Sequence, residues 1–401
     1  MTEEKSGGNA RKAAYFGILA LGIVSLMGDV IYEGSRGIIP GYLTFLGASI
    51  AIISLVGGLG EFLGYTIRLV GGYLEDTTRN YWIFVFLGYG LIFSIPLMGP
   101  LGTFGLGMAI TLILFERFGK AIRSPSRDTL LSIISKDVGA GKAFGLHELL
   151  DQIGAILGPV IVATLMFISA NNYGFTFTLL FLPVSMLLVI LAYTYKKLKP
   201  KAVLEQLKPD EKRERLGKPF YIYMLAVFFN TIGLVPYTII LGKASNILPV
   251  QEQWITPLMY TLIQGVDAPA ALISGYAYDK FGLKVLVLPF LVSVVPSVLA
   301  VAGNELLILW IAAIFFGLVF GMHESVYRAA VSEFTPISSR SMAYGIFNTM
   351  YGIGFLVSGG LYALFMALDI NLPFIIYYAL ATQVVAASLL FKAWRFKHQT
   401  D

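Results

Sequence analysis

Charged residues stand at helical spacing inside stretches that are otherwise apolar, and any chemistry of this chain has to start there. Asp29, Glu33 and Arg36 fall at i, i+4 and i+7, on one face of a helix. Glu116, Lys120, Arg123 and Arg127 extend the same pattern to i+11, with Arg117 beside them. His147, Glu148 and Asp151 lie within about one turn, and Asp151 shares its side with Gly154 and Gly158. Glu61, Asn230, Gln264 and Asp267 stand alone, and Glu324 precedes Arg328 by four. A buried charge costs several kcal/mol unless it is paired, so each group needs a partner or a water-filled cavity. Glu33 with Arg36 reads as a local pair at a helix mouth, leaving Asp29 either beside that pair or in a cavity. Glu116 precedes Lys120 in the orientation that favours an intrahelical pair. Lys120 and Arg117 are also placed to hold an anionic group, while Arg123 to Asp128 reads as a solvated exit. Asp151 either pairs with a base of that stripe or carries protons. Arg127, Glu324 and Arg328 are expected in structural ion pairs.

The elements that position these groups are apolar runs. The chain has 401 residues, 57% of them hydrophobic, a mean hydropathy of +0.75 and only 13% charged. That is about half the ~25% charge of a soluble domain. A helix needs about 20 apolar residues to cross the hydrocarbon of a bilayer. Twelve such runs are expected: 13–35, 48–71, 81–98, 103–125, 143–168 and 174–195, then 219–241, 255–276, 283–302, 306–327, 343–366 and 372–391. The first is too long and too charged for a signal peptide. Long apolar runs such as 306–320 do not alternate as barrel strands would. The fold class is therefore an all-α integral membrane protein.

Mid-membrane charge costs ~3 kcal/mol on insertion scales. Glu61 and Asp267 sit too deep for their short side chains to reach the interface, and they rank ahead of Asp29 and Asp151 as proton carriers. Asn230 and Gln264 are polar cavity candidates. Basic residues crowd the segments assigned inside, and only Arg36 and Lys243 fall outside, which puts both termini in the cytoplasm of a multi-pass cell-membrane protein. There is no cysteine, which excludes thiol chemistry and thiolate metal sites, and three histidines leave little for a metal cluster, so none is expected. No phosphate-binding Gly-x-x-x-x-Gly-Lys-(Ser/Thr) motif occurs, and no Ser/His/Asp set suggests an enzyme. No cofactor and no nucleic-acid partner are expected.

A polar stretch over 196–218 divides the chain into six-helix halves, 1–195 and 219–401. Gly72 and Gly275 are 203 positions apart, and Glu61 and Gln264 each precede them by eleven. Ala143 and Ala343, and Gly154 and Gly354, are 200 apart. Such ordered coincidences indicate duplication. Six spans per half preserve orientation, so the expected relation is a pseudo-two-fold axis along the membrane normal.

These motifs resemble those of the major facilitator superfamily. Gly275-Tyr276-Ala277-Tyr278-Asp279-Lys280-Phe281-Gly282-Leu283-Lys284 matches its loop signature throughout. The first copy keeps Gly72 and Asp76 but has Thr77, Thr78 and Arg79 where the second has Lys280, Phe281 and Gly282. Gly154-x-x-x-Gly158-Pro159 is similar to the family's antiporter motif. The run from Gly119 to Asp128 looks like a prokaryotic, efflux-permease-like branch. The resemblance implies a secondary transporter that moves a small organic solute by alternating access, with proton-coupled efflux as the leading expectation. The loops at Asp76 and Asp279 would form its gate. An uptake permease for a metabolite or organic anion is the alternative, and a non-transporting receptor or scaffold a third. The expected partners are the solute, protons and membrane lipid, with the chain a monomer.

Overall fold

The computed structural model describes residues 2–135, 138–198, 215–336 and 339–400, and of 2–13, 76, 140, 341 and 397–400 only the backbone. Positions 199–214 of the expected linker and the Asp76 side chain lie outside the described residues. The described residues form helices and no strand. In chain order these are α1 (Thr2–Phe45), α2 (Ile50–Thr78), α3 (Tyr81–Leu91), α4 (Ser94–Leu101), α5 (Leu106–Ile134) and α6 (Ala140–Ile168). They continue with α7 (Tyr173–Leu179), α8 (Phe181–Leu198), α9 (Lys218–Gly233), α10 (Tyr237–Ile247), α11 (Ile255–Phe281) and α12 (Val287–Val292). The last are α13 (Val294–Ala302), α14 (Leu306–Met322), α15 (Arg328–Glu333), α16 (Arg340–Ala367) and α17 (Leu372–Thr400). A single π-turn, His323–Tyr327, joins α14 to α15.

Among the described residues, ten segments are long and apolar enough to cross a membrane. One of them, Val250–Ala302, holds both α11 and the α12–α13 pair. The helix α5 is not among the ten, because Glu116, Arg117, Lys120, Arg123, Arg127 and Asp128 interrupt its apolar run. Large apolar side chains lie open on the outer helix faces, such as Val189 on α8 and Tyr377 and Val384 on α17, a surface suited to lipid rather than water.

Helix ends depart from the expected spans where packing overrides local signals. Arg36, Gly37 and Pro40 read as an ending, yet α1 runs on to Phe45 with Pro40 inside it. Gly37 accounts for part of this: its missing side chain lets Pro257 approach, and a Cβ there would lie 2.7 Å from the Pro257 Cα. Likewise α5 continues nine residues past the expected 125, through Pro125, because the stripe read as solvated is buried. By contrast Pro236 does end a helix, dividing the seventh expected span into α9 and α10.

By contacts the chain forms two units. The first comprises Met1–Arg36 and Ile67–Pro209, the second Gly37–Thr66 and Asp210–Asp401. Within the first, α5 packs against α3, α4 and α6. Gly154 and Gly158 let α6 settle on α1: a Cβ at Gly154 would lie 2.6 Å from the Leu26 carbonyl oxygen and 2.8 Å from the Asp29 Cβ. At Gly158 it would lie 2.7 Å from the Val30 carbonyl oxygen. Such small-residue faces bring membrane helices into backbone contact. Within the second unit, α11 packs on α14 and α9 lies between α16 and α17. A Cβ at Gly354 would lie 2.8 Å from the Thr231 Cβ and 3.6 Å from the Phe228 carbonyl oxygen. Phe228 and Thr231 thus flank Gly354 as Leu26 and Asp29 flank Gly154. The first part of α2 crosses α16, with Ser54 Oγ donating to the Gly359 carbonyl at 2.9 Å.

Candidate functional site

Burial of charge singles out the first unit. Asp29 and Glu33 lie near the midpoint of α1's apolar span, Ala14–Phe45, and Lys120 is halfway along α5. Arg36 donates to both Glu33 oxygens, at 2.8 and 3.0 Å. The Lys120 ammonium reaches the same carboxylate at 3.3 Å. The pair expected at a helix mouth is therefore an embedded three-residue network bridging α1 and α5, and Glu33 and Arg36 are 4% and 8% exposed. Glu116 lies with its Oε2 3.5 Å from Arg117 Nε, and both are buried.

Two turns beyond Lys120, Arg127 is shared. It donates to Ser25 Oγ at 2.9 Å, to Asp128 at 3.0 Å and to Asp151 at 3.4 Å. The expected pairing of Asp151 with a base of α5 is thus present, and Arg127 is that base. His147 Nε2 stands 3.7 Å from the same Asp151 oxygen. Asp29 lies among the charges of Asp151, Lys120, Glu33 and Arg127, and its Oδ1 has no hydrogen-bond partner among the described residues.

The floor of this cluster is aromatic. Tyr32 carries Lys120 Nζ at 4.1 Å from its ring centre, Arg123 at 5.1 Å and Arg36 at 5.3 Å. Arg123 also covers the Tyr89 ring at 4.7 Å. Gly88 makes room for that packing, since a Cβ there would collide with Arg123. Arg123 and both tyrosines escaped the sequence reading: the arginine was assigned to a solvated exit, and a tyrosine beside a charge carries no signal until the helices are placed.

The second unit distributes its polar groups differently. Asn230 is fully buried. Its amide donates to Gln383 Oε1 at 2.6 Å and Ser293 Oγ at 3.1 Å, and accepts from Tyr327 OH at 2.6 Å. Gln383 returns a bond to the Asn230 carbonyl at 3.0 Å. Asn230 is thus a satisfied lock between α9, α12–α13, α15's preceding turn and α17. Asp267, 2% exposed, lies against Gly321 of α14, its Oδ1 2.8 Å from where a Cβ would be. Gln264 is buried one turn away. Glu61 is half-buried and, with Glu324, lies in the electrostatic surroundings of Tyr351, whose hydroxyl is 2.9 Å from His323 Nδ1. Glu324 is half-buried in the π-turn and Arg328 exposed.

The loop motifs sit at helix ends. A Cβ at Gly72 would lie 3.9 Å from the Pro125 Cβ, and one at Gly275 3.0 Å from Ser325 Oγ. Asp279 and Lys280 are exposed, and Lys280 rests on the Phe281 ring. Gly282 has φ +60°, and Arg79, 203 positions earlier, has φ +53°. Both positions thus have a positive φ, one in glycine and one in arginine.

Comparison with known proteins decides the family. The model of the Major Facilitator Superfamily matches residues 18–359. The chain belongs to the major facilitator superfamily. An uncharacterised protein of Mycobacterium tuberculosis is 31% identical over 386 residues, 93% of this chain and 92% of its own. An uncharacterised MFS-type transporter of Methanocaldococcus jannaschii is 28% identical over 344 residues, 84% and 85% of the two chains. A class H tetracycline resistance protein of Pasteurella multocida is 28% identical over 182 residues, 44% of each. Among solved structures, the nucleoside transporter NupG superposes with a TM-score of 0.70 at 14% identity, over 94% of this chain and 99% of that one. A bacterial homologue of the human lysosomal transporter Spinster gives 0.68 at 15%, covering 95% and 97%. At these identities the structures speak for the fold alone.

Proposed function

We propose that this superfamily member is a twelve-span secondary transporter that exports a small organic solute by alternating access, coupled to protons. The observation that carries this reading is the charge network between α1, α5 and α6, buried halfway along helices that otherwise suit hydrocarbon. Charge at that depth is expensive, and ion and substrate paths are where membrane proteins retain it. Twelve spans follow if α5 crosses despite its charges and Val250–Ala302 crosses twice. The division at 196–218, cytoplasmic termini, monomeric state and loop gates at Asp76 and Asp279 belong to the same proposal. Outward transport draws support from the tetracycline resistance relative.

Asp29 is placed first as the coupling acid, ahead of Asp267 and Glu61. A proton carrier needs a carboxylate whose charged state is contested, and Asp29 faces both cations and Asp151 with an oxygen unengaged. Its exchange of a proton would alter the hold of Lys120 and Arg127 on their other partners. The test is reconstitution into liposomes with an imposed pH gradient and a panel of labelled solutes. Asp29→Asn should lose concentrative movement while keeping exchange at equal concentrations, because exchange needs no net proton flow. Concentration at the parental rate in Asp29→Asn, with loss in Asp267→Asn or Glu61→Gln, would move the coupling site to the second unit. Concentration of the solute with no transmembrane gradient of any other ion or solute present would refute secondary active transport.

A further inference from the structure

Resting on the transporter reading, we propose that the solute carries a carboxylate or phosphate group and that Arg123 is its anchor. Among the described residues Arg123 is a buried cation of the first unit with no carboxylate at ion-pair distance, and the acid Glu116 is reached only through the wider electrostatic surroundings. Arg36 and Lys120 share Glu33, Arg117 lies on Glu116, and Arg127 holds Asp128 and Asp151. Arg123 is 2% exposed, and its Nε and Nη1 have no hydrogen-bond partner. Its described contacts are the rings of Tyr32 and Tyr89.

Magnitudes make this arrangement incomplete as it stands. A cation–π contact is worth less than the desolvation of an ion that lacks a paired counter-charge in a dry interior. Tyr32 is shared among three cations, so it cannot neutralise Arg123 as well. The two ring centres lie within 5.1 Å of the guanidinium carbon and leave Nε and Nη1, on its edge, without an acceptor. That edge is a fork matched to the two oxygens of a carboxylate or phosphate. Access is provided next door: the Lys120 side chain, one turn earlier on α5, is 20% exposed. An anion entering past Lys120 meets a second cation at the same tyrosine. The roles suggested by sequence are thereby redistributed, because Lys120 and Arg117 already have acids and Arg123 does not.

The experiment uses the purified full chain in neutral detergent, with thermal stability and calorimetric titration as readouts. The probes are inorganic phosphate and the matched set benzoate, benzamide and benzylamine. Phosphate and benzoate should raise the melting temperature, and the neutral and cationic isosteres should not. Arg123→Gln should weaken the anions by roughly 10- to 100-fold, the range of a charged hydrogen bond. Arg123→Lys keeps the charge without the fork and should weaken benzoate by several-fold. It serves alone if Arg123→Gln does not fold. Equal stabilisation by benzamide or benzylamine, or unchanged benzoate affinity in a folded Arg123 variant, would overturn the anchor. Stabilisation by added anionic phospholipid with none from the soluble anions would overturn the solute assignment in favour of a lipid headgroup. Counterflow in liposomes separates the two readings. Anions that bind at Arg123 without crossing leave the anchor standing and defeat the transporter, whereas a solute that crosses while no anion binds does the reverse.

Discussion

Where α6 meets α1 in the first unit, Gly154 rests beside Asp29; where α16 meets α9 in the second, Gly354 rests beside Thr231. The contact is repeated and the chemistry is not. Around Asp29 the first unit gathers Glu33, Glu116 and Asp151 with Arg36, Arg117, Lys120, Arg123 and Arg127. Near Thr231 the second gathers an amide pair, two serines and Tyr327, all neutral, in a closed set of hydrogen bonds. A neutral network satisfies itself and holds one arrangement. A charged one has alternative partners within reach, and its balance changes when a proton or an ion arrives. The two units therefore contrast as a responsive charge network and a fixed neutral one.

The largest test of this contrast is loss of one ionic partner. Arg127→Leu strands Asp151 in the interior and should cost about 3–5 kcal/mol, the penalty for breaking a buried pair. The double variant Arg127→Leu with Asp151→Leu should recover most of it, measured as the temperature at which monodisperse protein is lost. In the second unit Asn230→Leu removes a neutral hub and should cost about 1–3 kcal/mol, since Gln383 and Tyr327 lose partners but no charge is stranded. Equal losses in the two units would break the comparison.

Much of this contrast was legible in the residues. The charge stripes of α1 and α5 follow from spacing, and so does the glycine face of α6, which indeed lies on α1. Depth was harder. The expected first span stops at 35 and puts Arg36 at a helix mouth, whereas tertiary packing carries α1 ten residues further. Arg123 looked solvated because a basic run before Pro125 is usually an exit, and only the placement of α3 shows Tyr89 over it. Asn230 looked like a cavity group because its partners, Ser293 and Gln383, lie 63 and 153 residues away. Spacing on one helix reports a shared face; it does not report which helix covers that face.

A smaller difference concerns the packing glycines themselves. Gly154→Ala sets a methyl 2.6 Å from a backbone oxygen, while Gly354→Ala sets one 2.8 Å from a threonine side chain. Backbone cannot yield without moving α1, whereas a side chain has some freedom. Gly154→Ala should therefore cost about 1–3 kcal/mol, in the range of overpacked cores, and Gly354→Ala less. The same heating assay ranks them, and a larger loss at Gly354 would mean that the second unit is the tighter one.

The smallest effect lies in the motif loops, where Arg79 and Gly282 both have a positive φ. Gly282 adopts φ +60° and ψ −146°, a conformation nearly reserved for glycine, so Gly282→Ala should cost about 1–3 kcal/mol. Arg79 has φ +53° and is not glycine. A positive φ costs an L residue about 1–2 kcal/mol, and glycine would remove that strain. Glycine also orders a freer unfolded chain, at about 0.5–1 kcal/mol. The difference leaves Arg79→Gly stabilising by roughly 0.5 kcal/mol, a melting shift of about 1–2 °C. Arg79 is exposed at its helix end, so no buried contact is lost with the side chain. A clear destabilisation instead would show that Arg79 holds the loop through its charge, and that the first copy of the motif replaced a flexible turn with an ionic one.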